Sequence, residues 1–387
     1  MTSGPGPLWA VLPGGVDDPA APSGGNRYDR AVLSLLPDVH EIAVPGSWPQ
    51  PGPDARRALS TGLAEIPDKS DVLIDGLVGC GVPEILEPHA GRLRLMIVVH
   101  LPLSDETGLS PGVAADLRER ERRALHLATV VIATSDAAAE RVAALHGLPR
   151  PAAEHGSLPA AEHGSLPAAE HGPLPAAEHG PLPAAAAPHG TPRIAVAAPG
   201  VEPAELAEPR ADGRRLLCVA SVSPRKGQDL LVAALEEDLS SLDWECTYAG
   251  ALVHPVPHRN HRTRFVGALP PAALDRAYGK SDLLILPSRA ETYGMVVTEA
   301  LARGLPVIAT AVGGVPEALG AAPDGTLPGI LIPPDDRPAL TAAIRRWLTD
   351  DALRQRLRAA ARARRETLPT WAGTARQLSA IRLGDPR

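Results

Sequence analysis

Short apolar runs recur through this chain, each followed by a stretch with helical patterning. In the second half they fall at 216–220, 283–286, 305–310 and 329–333. In the first half they fall at 8–12, 72–74, 93–99, 129–133 and 193–198. Runs this short and this apolar predict strands buried on both faces. Regular strand–helix alternation predicts a parallel, doubly wound α/β sheet, and such sheets bind ligands at the carboxyl ends of their strands. A chain of 387 residues has room for two such domains.

Composition narrows the function classes. The formal charge of −7, with both signs mixed, argues against nucleic acid as a main partner. Aromatics make up only 3%, so the cores must be aliphatic. Lysine occurs only at Lys69, Lys226 and Lys280, and arginine supplies the other positive charge. With abundant Ala, Pro and Gly, this suggests a GC-rich, bacterial genome. Cys80, Cys218 and Cys246 have no CxxC spacing and read as buried, reduced thiols of a cytoplasmic protein. The N-terminal stretch lacks the pattern of a signal peptide, and no apolar run reaches membrane-spanning length.

Residues 152–183 are four copies of an octapeptide, two of AAEHGSLP and two of AAEHGPLP, with a decayed fifth up to Gly190. A period of eight with Pro and Gly in each copy fits neither helix nor strand. It predicts a disordered, partly polyproline-like insertion over 152–190 within the first domain. The run Arg118–Arg123 alternates charge and is expected on a solvated helix face, which disfavours a membrane-docking helix.

The chemistry-bearing residues cluster where strands feed helices. After the run 283–286 come Pro287 to Ala290, then Glu291, Tyr293, Gly294 and Met295, with Glu299 in the following helix, expected from about Thr292. On a helical rise the two glutamates would lie about 12 Å apart, too far to share a proton but about the span of a nucleotide sugar. The N–H groups of Tyr293, Gly294 and Met295 would face an anion at the helix start. Arg225 and Lys226 precede a glycine at another strand-to-helix junction. Gly24 and Gly25, with Asn26 and Arg27 beside them, stand between the first strand and a helix expected from about Arg27. His100 ends its strand and is placed at the crevice, with Asp105 and Glu106 as weaker candidates in the same loop.

Glu291 and Glu299, eight positions apart with Tyr-Gly-Met between, resemble glycosyltransferase family 4, sugar-nucleotide-dependent enzymes of the GT-B fold. The resemblance is strongest over 215–335. It implies two Rossmann-like domains facing a cleft: 1–202 on the acceptor side, 203–366 on the donor side, and 367–387 as a helix crossing back. It implies that Glu291 lies against the donor sugar, Glu299 holds the ribose hydroxyls, and Gly24 and Gly25 contact the donor from the first domain. By the same resemblance Arg225 and Lys226 stabilise the diphosphate, and His100 acts on the acceptor side. Lys226, Glu291 and His100 are the implied catalytic residues. The chain departs from the family pattern at Ala220-Ser221, where Gly-Arg is usual, so the usual phosphate-binding arginine is absent.

The expected function is retaining transfer of a sugar from a nucleotide-sugar donor to a small-molecule or glycan acceptor, with no metal and no further cofactor. A sugar-nucleotide epimerase of the same fold and a non-catalytic sugar-nucleotide-binding protein are the alternatives. A nicotinamide oxidoreductase ranks low, because no GxGxxG follows the first strand.

Overall fold

The computed structural model describes residues 6–18, 23–150 and 190–384. The octapeptide repeats lie outside the described residues. The first sheet comprises β1 (Leu8–Pro13), β2 (Val39–Val44), β3 (Asp71–Asp75), β4 (Arg94–Val99), β5 (Val130–Ala133) and β6 (Arg193–Val196). Its helices are α1 (Gly24–Leu33), α2 (Pro53–Glu65), the short α3 (Gly76–Gly79) and α4 (Pro83–Leu86), α5 (Pro111–Leu127) and α6 (Asp136–His146). All neighbouring strands are parallel, in the order β2-β1-β3-β4-β5-β6. The chain runs from β1 outward to β2 and then returns to β3 on the other side. The switch point, where a crevice opens at the strand ends, is therefore between β1 and β3.

The second sheet contains β7 (Arg215–Val219), β8 (Glu245–Ala249), β9 (Thr263–Gly267), β10 (Leu283–Leu286), β11 (Val307–Thr310) and β12 (Gly329–Ile332). Around it lie α7 (Gln228–Ala233), α8 (Pro271–Gly279), α9 (Met295–Ala302), α10 (Val315–Leu319), α11 (Arg337–Thr349) and α12 (Asp351–Arg365). The order β12-β11-β10-β7-β8-β9 is again parallel throughout, and its switch point lies between β7 and β10. Strands β5, β7, β10 and β11 are almost wholly buried, as runs such as LLIL require of strands covered by helices on both faces.

α13 (Trp371–Leu383) crosses back to the first sheet. Its Trp371, Ala375, Leu378 and Ile381 pack with Leu8, Ala10, Tyr28 and Met96. Thr370 caps it by accepting from the Gly373 N–H, and Thr374 donates its hydroxyl to Ala198 O.

Three expectations need correction. α1 begins at Gly24, not near Arg27, because Ser23 caps it by accepting the Asn26 N–H at 3.0 Å. α9 begins at Met295, not at Thr292: Gly294 has φ +91°, which ends the loop and sets the helix start. Glu121, expected on a solvated face, is buried. It sits 2.9 Å from His146 Nε2 and accepts from the Leu103 N–H, because α5 turns that position onto α6. β2 and α2 complete the first domain and were not anticipated as elements.

Candidate active site

Two loops leave the switch point of the second sheet. After β7, Pro224, Arg225 and Lys226 form one tight turn ended by Gly227 at φ +66°. Gly227 is obligatory on two counts. A Cβ there would stand 2.1 Å from Pro287 O, and the dihedral is left-handed. After β10, Pro287 to Gly294 form the second loop, which carries Glu291.

The close approach of the two loops brings Lys226 Nζ to 2.6 Å from Glu291 Oε1, with both side chains largely buried. Ser288 donates its hydroxyl to the same oxygen at 2.8 Å. Burial alone would raise the Glu291 carboxyl; the Lys226 charge and hydrogen bond, with help from Arg225 and Ser288, outweigh it and hold the group below the usual range. Arg225 is mostly buried, with Nη1 3.4 Å from Ala290 O and Nε 4.0 Å from Glu106 of the first domain.

Glu299, on α9, is held differently. Tyr278 from α8 donates its hydroxyl to Oε2 at 2.8 Å, and Arg27 from α1 pairs with Oε1 across the cleft. Burial first, and then the Glu299 charge, push the Tyr278 hydroxyl well above its usual range, so it stays a donor. Of the other residues expected at the helix start, Tyr293 turns its side chain into the core, leaving only its backbone for a ligand. Met295 packs into both domains' cores and lies against Gly24, whose Cβ would sit 3.6 Å from its Sδ.

The first domain meets this site through its own switch point. Gly25 packs on His100, and a Cβ there would lie 3.0 Å from the imidazole Cδ2. The close approach that a glycine permits is thus used, in the free protein, by His100. His100 Nε2 donates to Asp29 Oδ1 at 2.9 Å. Asp75, the last residue of β3, joins them, with its Oδ1 accepting the Leu77 N–H at 2.6 Å as the cap of α3. One oxygen or nitrogen from each of Asp29, Asp75 and His100 lies within 4.8 Å of the others, and the Asp29 and Asp75 carboxyls also lie within hydrogen-bond reach of each other.

Burial first, then the Asp29 charge, push Asp75 up to about 7, against a lowering by His100. For His100, burial favours the neutral ring. The Asp29 charge and hydrogen bond, with Asp75 behind them, outweigh it and push the ring up to about 9. Asp29 and Asp75 were not anticipated from the sequence. Asp105 pairs with Arg141 instead of facing this group.

Further contacts close the cleft. Ser135 donates its hydroxyl to Thr292 O at 2.6 Å while also capping α6. Glu317 of α10 accepts the Asp136 and Ala137 N–H groups at 3.0 and 2.9 Å.

Residues 205–364 match the family model described as glycosyl transferases group 1. The D-inositol 3-phosphate glycosyltransferase of Kineococcus radiotolerans is 34% identical over 187 residues, which are 43% of either chain. The glycogen synthase of Mycobacterium tuberculosis is 35% identical over 133 residues, 33% of this chain and 31% of that one. Each match thus spans less than half the length of these curated relatives. Across nearly the whole chain, a sucrose-phosphate synthase from Thermosynechococcus elongatus superposes with a TM-score of 0.65 at 19% identity, covering 98% of both chains. Anabaena HepE in complex with UDP-glucose superposes with a TM-score of 0.65 at 15% identity, covering 97% of this chain and 99% of that one. The two sheets therefore form a GT-B fold, and it is residues 205–364, which carry Lys226, Glu291 and Glu299, that match the glycosyl transferases group 1.

Proposed function

We propose that the protein transfers a sugar from a nucleotide-sugar donor, held by the second domain, to a hydroxyl of a small-molecule or glycan acceptor held by the first. The observation that carries this reading is the placement of Lys226, Arg225, Glu291 and Glu299 around the switch point of the second sheet and the start of α9. Cations and helix N–H groups there suit a diphosphate, and the two carboxylates suit sugar and ribose hydroxyls.

In this reading Lys226 and Arg225 neutralise charge as it builds on the leaving diphosphate, helped by the start of α9. Glu291 orients the sugar, and Glu299 holds the ribose. The acceptor oxygen bonds to the anomeric carbon from the face that the diphosphate leaves, and its proton passes to a departing phosphate oxygen. Configuration is then retained without a carboxylate nucleophile, unlike in retaining hydrolases. The protein's own cations take the part that a divalent metal plays elsewhere, so no metal enters the mechanism. A cytoplasmic setting fits the three buried free thiols. No helix among the described residues is long and apolar enough to cross a membrane.

The first test is a thermal-shift panel of UDP-, GDP-, ADP- and dTDP-sugars. A donor at a hundred times its Kd stabilises by about 2.7 kcal/mol. Turnover of the matched donor in excess EDTA, with NMR of the product's anomeric proton, then tests the mechanism. Activity abolished by EDTA and restored by magnesium or manganese would refute the metal-free site, and an inverted product would refute retention.

A further inference from the structure

The first domain brings a buried carboxylate pair and one imidazole to the crevice opposite the donor loops. His100 leaves the carboxyl end of β4 with its ring laid on Gly25 and its Nε2 bonded to Asp29. Gly76 starts α3 so close to β4 that a Cβ there would meet Val98 O at 2.7 Å, and this approach sets Asp75 beside the same ring. Asp29 and Asp75 are 3% and 4% exposed, and Asp29 Oδ2 is buried with no hydrogen-bond partner. Two carboxylates this deep need a compensating cation or a proton. Nε2 and Cδ2 face protein, so the Nδ1–Cε1 edge is the side left open. Nδ1 has no hydrogen-bond partner among the described residues.

We propose that Asp29 and Asp75 are positioning residues that keep His100 as an imidazolium, so that its Nδ1–H is a charged hydrogen-bond donor to a sugar hydroxyl oxygen in the cleft, and not a general base. This rests on the glycosyl-transfer reading above. The ligand class follows from charge. Asp29 already neutralises the ring, and Asp75 adds negative character, so a neutral hydroxyl is favoured over a phosphate or carboxylate. The other titratable groups near the ring are Tyr28 from α1, whose hydroxyl is bonded to Ala197 O, and Cys80 after α3. Arg27, also on α1, is engaged by Glu299. α9 and α13 contribute Met295 and Trp371, neither of them charged.

The test follows the His100 ring by NMR in the full chain labelled on histidine, with its signals identified by their loss in His100→Gln. In the native protein the ring should stay charged through pH 7 and lose its proton near 9. In Asp29→Asn, whose amide oxygen can still accept from Nε2, it should titrate near the ordinary 6.5 or below. Sugar transfer by Asp29→Asn should then fall about tenfold between pH 5.5 and 7.5, while the native rate stays flat over that range. Acid rescue of this kind distinguishes a lost charge from a damaged fold. Asp75→Asn should lower the titration midpoint less than Asp29→Asn does. A native His100 that titrates at or below 6.5 would overturn the proposal, and this holds even if Asp29→Asn does not fold. So would an Asp29→Asn rate lowered equally at every pH. Because the titration is read in free protein, a charged ring with no sugar transfer from any donor would refute the functional reading while leaving the triad intact.

Discussion

Lys226→Ala tests the proposed donor site most directly, because in the free protein Lys226 is committed to Glu291. The pair is 2.6 Å apart, with the lysine side chain 15% and the glutamate 8% exposed. Removing one member of a buried pair costs about 3–5 kcal/mol, since the remaining charge is left without its partner. Here Glu291 keeps the Ser288 hydroxyl and the nearby Arg225, so the expected cost is the lower figure, about 3 kcal/mol. In a domain of this size that is a fall in Tm of roughly 6–12 °C for the second domain's transition. Glu291→Gln should cost less, about 1 kcal/mol, because the Lys226 stem can carry its ammonium toward water.

The double variant should be clearly less destabilised than the sum of the singles. The pH dependence has a definite sign. The Glu291 carboxyl is held below its ordinary 4.5, so the pair contributes stability above that value and loses it as pH falls through the folded-state value. The gap in Tm between native and Lys226→Ala should therefore be wide at pH 7 and close in acid. Calorimetry of the four proteins between pH 3.5 and 7 measures this. Equal, additive losses of a degree or two at every pH would show that the pair does not stabilise the free protein. Under the proposed function the same Lys226→Ala change costs a hundredfold or more in turnover, on the order of 3 kcal/mol of transition-state stabilisation.

Three other outcomes are expected. Glu299→Gln should weaken nucleotide-sugar binding about tenfold, whereas Arg27→Ala should leave it equal or tighter, since the carboxylate no longer gives up a cation to take the ribose; calorimetric titration that finds binding lost in Arg27→Ala would make Arg27 itself a phosphate ligand. Gly227→Ala should abolish donor binding and lower Tm sharply, because its Cβ would stand 2.1 Å from Pro287 O at φ +66°; unchanged donor affinity in a thermal-shift titration would contradict the loop geometry. Asp75 is raised from 3.8 to about 7, so its contribution is full in acid and is lost as pH rises through 7. Asp75→Asn should therefore gain stability relative to the native protein as pH rises from 5 to 8, by up to about 3 kcal/mol and read as a rising difference in Tm, and a pH-independent difference would contradict that.

The second domain was largely legible in the sequence because its strands are short, apolar and buried on both faces. The residues ending them stand out against those runs, as Glu291 and Lys226 do. The first domain was less so. β2, VHEIAV, lies at the sheet edge with most of its residues partly exposed, so its polar positions hide the strand. Asp29 sits in Asn26-Arg27-Tyr28-Asp29-Arg30, which reads as a solvated helix face. Its signal was spacing: Val32 and Leu33 follow at i+3 and i+4, so Asp29 lies on the buried stripe of α1. Asp75 could have been found as an acid closing the buried run VLI at the carboxyl edge where ligands bind. Arg27 could not have been assigned to Glu299, since that contact joins residues 272 positions apart and depends on how the domains close.

In the proposed donor site each of the named charged groups has an opposite charge beside it in the free protein. Lys226 holds Glu291, Arg27 holds Glu299, and Arg225 stands near Glu106. Two of these three pairs cross the cleft, and Ser135 and Glu317 tie the same rim. A diphosphate entering among the cations must therefore take partners from carboxylates, and the carboxylates must in turn find hydroxyls. A nucleotide sugar carries both on one molecule, with the diphosphate between the ribose and the sugar. Inorganic diphosphate carries only the first, and leaves two buried carboxylates without compensation. Under the proposed function this exchange of partners makes the site selective for the whole donor over its charged fragment. It also requires the cleft to open before the donor can reach Glu299.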